Sequence, residues 1–225
     1  MPSLTVENYV KAIAQIAARG PDGQAVATGV LAQALGVSPG TVTGMLKTLS
    51  EADLATYTPY EGARLTPVGH RLAMKVIRRH RLVELFLART LRMAWDEVHE
   101  EAEHLEHAVS DRLVDRIDAF LGRPAVDPHG DPIPRSDGTL TEPVGTPLAA
   151  IPRSSRFQVV RVVDQDPVFL RFLTECGLDL GAAGTLVESR PQAGAIVLDV
   201  AGRSVALGLD AANKVLVAAV ETQSE

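Results

Sequence analysis

Apolar residues recur at helical spacing from Leu4 to Ala18, and Arg19-Gly-Pro-Asp-Gly23 stops the run. A short second helix is predicted from Val26 to Leu35, ending at Gly36. Ser38-Pro39 then supplies an N-cap and a first-turn residue for a third, reaching about Ala52. Asp53–Thr58 and Ala63–Thr66 are rich in strand formers and flank Pro59-Tyr-Glu-Gly62, which reads as a hairpin. Two helices joined by a tight Gly-containing turn and followed by a hairpin make a winged helix-turn-helix pattern.

Thr66-Pro67 opens a long amphipathic helix from about Val68 to Leu91. Trp95 begins a second, ending near Val109, and Ser110-Asp111 caps a third, to about Leu121. From Gly122 to Pro152 the composition turns to Pro, Gly, Asp and Ser without sustained periodicity, the mark of a linker in which His129 is expected as a turn residue. Beyond it, Phe157–Val163, Gly184–Ser189, Ala195–Val200, Ser204–Leu209 and Lys214–Val220 read as short strands, with one helix at Val168–Cys176. The predicted fold is mainly α with a small β-barrel: a winged helix-turn-helix over 1–66, a helical domain over 67–122, a linker over 123–152 and the β domain over 153–225.

The net charge of -6 argues against nucleic acid only until it is divided. Residues 1–92 carry 11 Lys/Arg against 6 Asp/Glu, and residues 93–225 carry 11 against 22. A basic N-terminal part can neutralise phosphates while an acidic remainder hosts cations. The single cysteine, Cys176, excludes a disulfide framework and Cys-rich zinc modules, so any metal ligands are oxygen and nitrogen in a reducing, cytoplasmic setting. No stretch has transmembrane length, no signal peptide is recognisable, and no membrane partner is expected.

The chemistry concentrates in Val98-His-Glu-Glu-Ala-Glu-His-Leu-Glu-His107. At about 100° per residue, His99, Glu103, Glu106 and His107 share one face of a continuous helix. Two imidazoles and two carboxylates on one face are costly to bury unless a divalent cation sits among them. His80 and Glu84, at i and i+4 in Arg79-His-Arg-Leu-Val-Glu84, make a second two-ligand stripe. The bland alternative is a solvated Glu-rich helix, which leaves the coincidence with the second stripe unexplained. On the third helix, Ser38, Thr41, Thr43, Gly44, Lys47 and Thr48 lie opposite Val42, Met45, Leu46 and Leu49, a small polar face suited to base edges. Arg64 is a wing candidate for the phosphate backbone. A metal sensor that binds DNA fits both features.

With these motifs in place, the chain resembles the diphtheria toxin repressor family of metal-dependent regulators. The resemblance rests on the helix-turn-helix and wing, Arg79-His-Arg-Leu-Val-Glu84, the 98–107 run followed by Ser110-Asp111, and Pro128-His-Gly-Asp-Pro-Ile-Pro134. It implies an SH3-like, FeoA-like terminal domain and one or two metal ions per subunit. It further implies a primary site with Glu103, Glu106 and His107 plus a residue of the first helix, Asn8 or Glu7. An ancillary site of His80, Glu84 and His99 would be closed by an acidic residue of the terminal domain within Asp164-Gln-Asp166, the gapped match preferring Asp166 over Asp164. Family members of the manganese-sensing branch carry glutamate at the position of Glu103, which favours Mn(II) while Fe(II) stays admissible. The chain departs from the family at Asn8, at Lys11 where an acidic residue stands in that branch, and at Phe169.

The resulting expectation is a homodimeric, metal-activated transcription regulator of metal-ion homeostasis, bound to palindromic double-stranded operators and taking no small-molecule substrate beyond the metal ion. The rivals are a metal-independent winged-helix regulator and a carboxylate-bridged di-metal enzyme, the latter lacking a second Glu-x-x-His copy.

Overall fold

The structure is a computed structural model that describes residues 4–21, 23–141 and 144–220. The outermost residues of the expected first and last domains lie outside the described residues. Two compact units are present, one running to His80 and including Pro134–Leu140, the other comprising Arg81–Ile133 and the chain from Thr141 onward.

In the first unit α1 (Leu4–Ala17), α2 (Thr28–Leu35) and α3 (Pro39–Glu51) combine with the hairpin β1 (Ala55–Thr58) and β2 (Gly62–Leu65). Val10, Ile13, Leu31, Val42, Leu46 and Leu49 form its core, joined by Ala73, Met74 and Ile77 from the long α4 (Pro67–Leu91). Fully burying side chains of this size stabilises by about 1.5–3 kcal/mol each, which fixes α3 on the scaffold with its polar face outward. The helix α2 starts later than its apolar spacing predicted. Val26 is drawn off into a β-bridge with Ala63, exchanging two backbone hydrogen bonds of 2.8 and 2.9 Å. Ser38 caps α3 as expected, its hydroxyl accepting from the Thr41 N–H at 3.1 Å.

In the second unit the rest of α4 packs through Val83 and Leu87 on Val98 and Ala102 of α5 (Val98–Leu105). Its Leu82 and Leu85 pack on Val114 and Ile117 of α6 (Asp111–Phe120). The same unit holds a six-stranded antiparallel sheet. It is built from β3 (Thr146–Pro147), β4 (Arg156–Val162), β5 (Ala183–Arg190), β6 (Ala195–Val200), β7 (Arg203–Gly208) and β8 (Val215–Ala219). The strand order is β3-β8-β4-β5-β6-β7, with register breaks at Val159/Arg161 and Leu186/Glu188 that bend the sheet. Two helices, α7 (Pro167–Cys176) and the short α8 (Leu209–Asn213), complete it, and Phe157, Leu170, Leu173, Leu186, Ile196 and Leu198 fill the core. This is the expected class, helical N-terminal and middle parts with a small SH3-like β domain. The two-residue β3 and α8 were not foreseen, being too short to leave a periodicity.

Two further differences matter for function. First, α5 spans only Val98–Leu105, not Trp95 to Val109. At its start the Trp95 indole N–H is drawn to Thr174 Oγ1 at 3.0 Å. At its end the Ala108 N–H bonds Leu105 O at 2.9 Å, tightening the helix into a closing turn. Second, the Pro-rich segment is not bare chain. Asp127, His129 and Ile133 are buried, Val126 and Pro132 form a bridge, and Gly130, at φ +86°, leaves no room for a Cβ against the Val160 carbonyl.

Candidate metal centre and DNA-reading face

His80 and Glu84 stand one turn apart on α4, as their spacing requires. Glu84 is 1% exposed, and its Oε1 lies 3.0 Å from His99 Nδ1 on α5. The other ring nitrogen of His99, Nε2, is 3.9 Å from Glu103 Oε1 one turn further along. A buried carboxylate beside an imidazole, with a second carboxylate at the solvent edge, is a donor set suited to a divalent cation of intermediate hardness.

Glu106 and His107 form a separate pair. Glu106 is the C-cap of α5, with helical φ and ψ and its N–H on the Ala102 carbonyl at 2.8 Å, and His107 follows in the closing turn. Glu106 Oε1 and His107 Nε2 lie 3.1 Å apart. Glu106 is fully buried and His107 is mostly buried.

On α1, the Glu7 carboxylate is ion-paired with Arg79 at 3.4 Å, whereas the buried Asn8 Oδ1 has no hydrogen-bond partner among the described residues. A lone-pair donor left in that state is costly and suits coordination. Lys11, one turn on, is buried, and its ammonium lies 3.2 Å from His80 Nδ1. An ammonium can only donate, so His80 accepts through Nδ1.

Sequence reasoning missed Asp127 and His129. Asp127 Oδ1 accepts from the N–H groups of His129 (2.8 Å) and Asp131 (2.9 Å), and its Oδ2 is 3.5 Å from Arg81 Nε. Burial pushes its pKa well above the ordinary carboxylate range, the charges of Glu84 and Asp131 add to the rise, and Arg81 opposes it. His129 is fully buried, its Nε2 is 2.8 Å from the Trp95 carbonyl, and its ring stacks on the Trp95 indole. Asp131 in turn faces Arg81, Arg161 and Gln165. The available signal was the run Asp127-Pro-His-Gly-Asp131 inside a Pro-rich stretch, a pattern a bare linker has no need of. Asp166 joins no three-residue ligand cluster among the described residues. It caps α7, accepting from the N–H groups of Val168 and Phe169 at 2.9 and 3.1 Å.

On α3, Thr41, Gly44, Lys47 and Thr48 are exposed, with Ser38 at the N-cap. Thr43 is half-buried and its hydroxyl donates to the Pro39 carbonyl at 3.0 Å. A Cβ at Gly44 would meet nothing within 4 Å, so nothing inside the chain demands glycine there. Arg64 donates from Nε to the Gly23 carbonyl at 2.9 Å, tying the wing to the loop after α1.

Three family models match. Residues 2–63 match the iron dependent repressor N-terminal DNA binding domain, 66–135 the iron dependent repressor metal binding and dimerisation domain, and 146–219 the FeoA domain. The iron-dependent repressor IdeR of Mycobacterium tuberculosis is 31% identical over 169 residues, covering 68% of this chain and 71% of its own. The HTH-type transcriptional regulator MntR of Geobacillus kaustophilus is 32% identical over 117 residues, 52% of this chain and 80% of its own. A manganese-dependent transcriptional repressor solved in complex with manganese superposes with a TM-score of 0.85 at 40% identity, over 96% of this chain and 100% of that one. A DNA binding domain followed by a metal binding and dimerisation domain is the make-up of a DNA-binding regulator, not of an enzyme. With a DNA-binding unit, a metal-binding helical region and a terminal FeoA domain in matching order, the chain belongs to the diphtheria toxin repressor family of metal-dependent transcriptional repressors.

Proposed function

We propose that this chain is a manganese-responsive repressor, also admitting Fe(II), that binds palindromic operators as a homodimer and so regulates metal-ion homeostasis. The observation that carries the reading is the pairing of buried carboxylate with imidazole at Glu84–His99 and again at Glu106–His107. Each pair brings one imidazole nitrogen and one carboxylate together, a donor set that a divalent cation of intermediate hardness takes up. The ligands proposed are Glu103, Glu106 and His107 with Asn8 for one ion, and His80, Glu84 and His99 for another. Asn8 is preferred over Glu7 because Glu7 is engaged by Arg79. Asp166 is retained only through its second oxygen, since Oδ1 caps α7.

Preference for Mn(II) is supported by an all-oxygen-and-nitrogen donor set, with a carboxylate at 103 and the single cysteine remote in sequence on α7. It is supported also by a relative at 40% identity that is manganese-dependent. A bound divalent ion supplies the positive charge against which these carboxylates lose their mutual repulsion. The chain's own part is to hold the ligands on α1, α4, α5 and the turn that closes α5, and to present Thr41, Gly44, Lys47 and Thr48 from α3 to the major groove and Arg64 to the backbone. If the ligands converge better in the DNA-competent arrangement, metal raises that population.

The test is selection from a random duplex library with the full-length protein, with Mn(II) and with EDTA. A palindromic sequence enriched only with Mn(II) supports the reading. Equal enrichment in EDTA favours a metal-independent regulator.

A further inference from the structure

Glu84, Asp127 and His129 each offer a ligating atom, and these atoms lie within 4.8 Å of one another. The three residues are 1%, 1% and 0% exposed. Among the described residues two atoms of this group have no hydrogen bond, Asp127 Oδ2 and His129 Nδ1.

The imidazole of His129 is already set up as a ligand. Its Nε2 lies 2.8 Å from a carbonyl oxygen, that of Trp95, which can only accept, so Nε2 carries the proton and Nδ1 the lone pair. A ring held by a carbonyl at one nitrogen and presenting the other is the usual outer-shell arrangement of a metal-bound histidine. Asp127 is held likewise, with Oδ1 fixed by two backbone N–H groups and Oδ2 turned away from them. Three carboxylates, Glu84, Asp127 and Asp131, gather here against the guanidiniums of Arg81 and Arg161, an acidic excess in a buried place.

We infer that Glu84, Asp127 and His129 form an additional divalent-cation site, with Glu84 shared between this ion and the His99 ligand group. One imidazole nitrogen and two carboxylates suit Mn(II), Fe(II) or Zn(II), with water filling the remaining positions. The site adds two ligands to those proposed above and rests on that reading only through Glu84. Its competitor is a proton held between Glu84 and Asp127.

The probe is Mn(II) alone. Full-length protein is dialysed against excess Mn(II), and bound manganese per chain is counted by mass spectrometry for wild type, Asp127→Asn and His129→Gln. Each variant should hold one ion per chain fewer than wild type, and combining either with Glu106→Ala should remove one more. Equal counts in wild type and both variants overturn the site. Because a buried substitution can disturb folding, the same ion is sought in wild-type crystals grown with Mn(II). An anomalous peak between Glu84, Asp127 and His129 is expected, and its absence overturns the inference. If the peak is present while Mn(II) leaves DNA binding unchanged, the proposed function fails and the site stands.

Discussion

The ammonium of Lys11 lies 3.2 Å from Nδ1 of His80, both side chains being buried. A fixed cation thus holds a nitrogen that the proposed ancillary ion would claim, and metal must displace the lysine or bind against its charge. Lys11→Met keeps the length and apolar stem while removing the charge. It should tighten Mn(II) binding by about fivefold, roughly 1 kcal/mol, as loss of one nearby like charge implies. Isothermal titration checks this, and unchanged or weaker binding would show that Lys11 does not compete.

Gly44 sits in the middle of an exposed helical face with nothing within 4 Å of where a Cβ would be. Gly44→Ala should therefore stabilise the free protein by about 1 kcal/mol, since alanine is the better helix former. Operator affinity should nevertheless fall, because the methyl group intrudes where the helix approaches the bases. A variant that melts higher and binds operator as tightly as wild type would remove Gly44 from the reading face.

Lys47 and Arg64 are assigned different tasks. Lys47 is exposed on α3 and should act as a charge: Lys47→Ala should lower the salt slope of log K by about 0.9 for each phosphate that the lysine neutralises, equally on operator and random DNA. Arg64 also anchors the loop at Gly23, so Arg64→Ala should in addition lower the melting temperature. Salt-dependent anisotropy and calorimetry separate the two. A sequence-selective loss for Lys47→Ala would place it on bases.

The winged helix-turn-helix, α4, α6 and the longer strands were legible because each carries a full amphipathic period or a cap such as Ser38 or Ser110, whose hydroxyl accepts from the Leu113 N–H at 3.3 Å. The placement of the candidate ligands was legible for the same reason, spacing alone putting His80 one turn from Glu84 on α4 and His99 one turn from Glu103 on α5. What the pattern could not convey was tertiary in origin. Trp95 is drawn to Thr174 and stacks on His129 instead of opening α5, and Glu106 and His107 meet where that helix closes. His129 and Asp127 were hidden in a Pro-rich stretch, because burial of a loop leaves no periodicity to read. At Asp166 a second role was legible but not read: Asp-Pro at the start of a helix is a capping signature, and Oδ1 of Asp166 caps α7.

The most direct test of metal-gated repression is a Mn(II) titration of operator binding by full-length wild type beside Glu106→Ala and His107→Ala, each followed by fluorescence anisotropy and by thermal melting. Wild type should bind operator only as Mn(II) rises, and at 100 times its Kd the metal should add about 2.7 kcal/mol of stability. Both variants should keep a cooperative melt without metal and lose the Mn(II)-dependent rise in anisotropy, while ions at the remaining sites still raise the melting temperature. Wild-type metal dependence in either variant would contradict the assignment of Glu106 and His107 as the pair through which metal governs DNA binding.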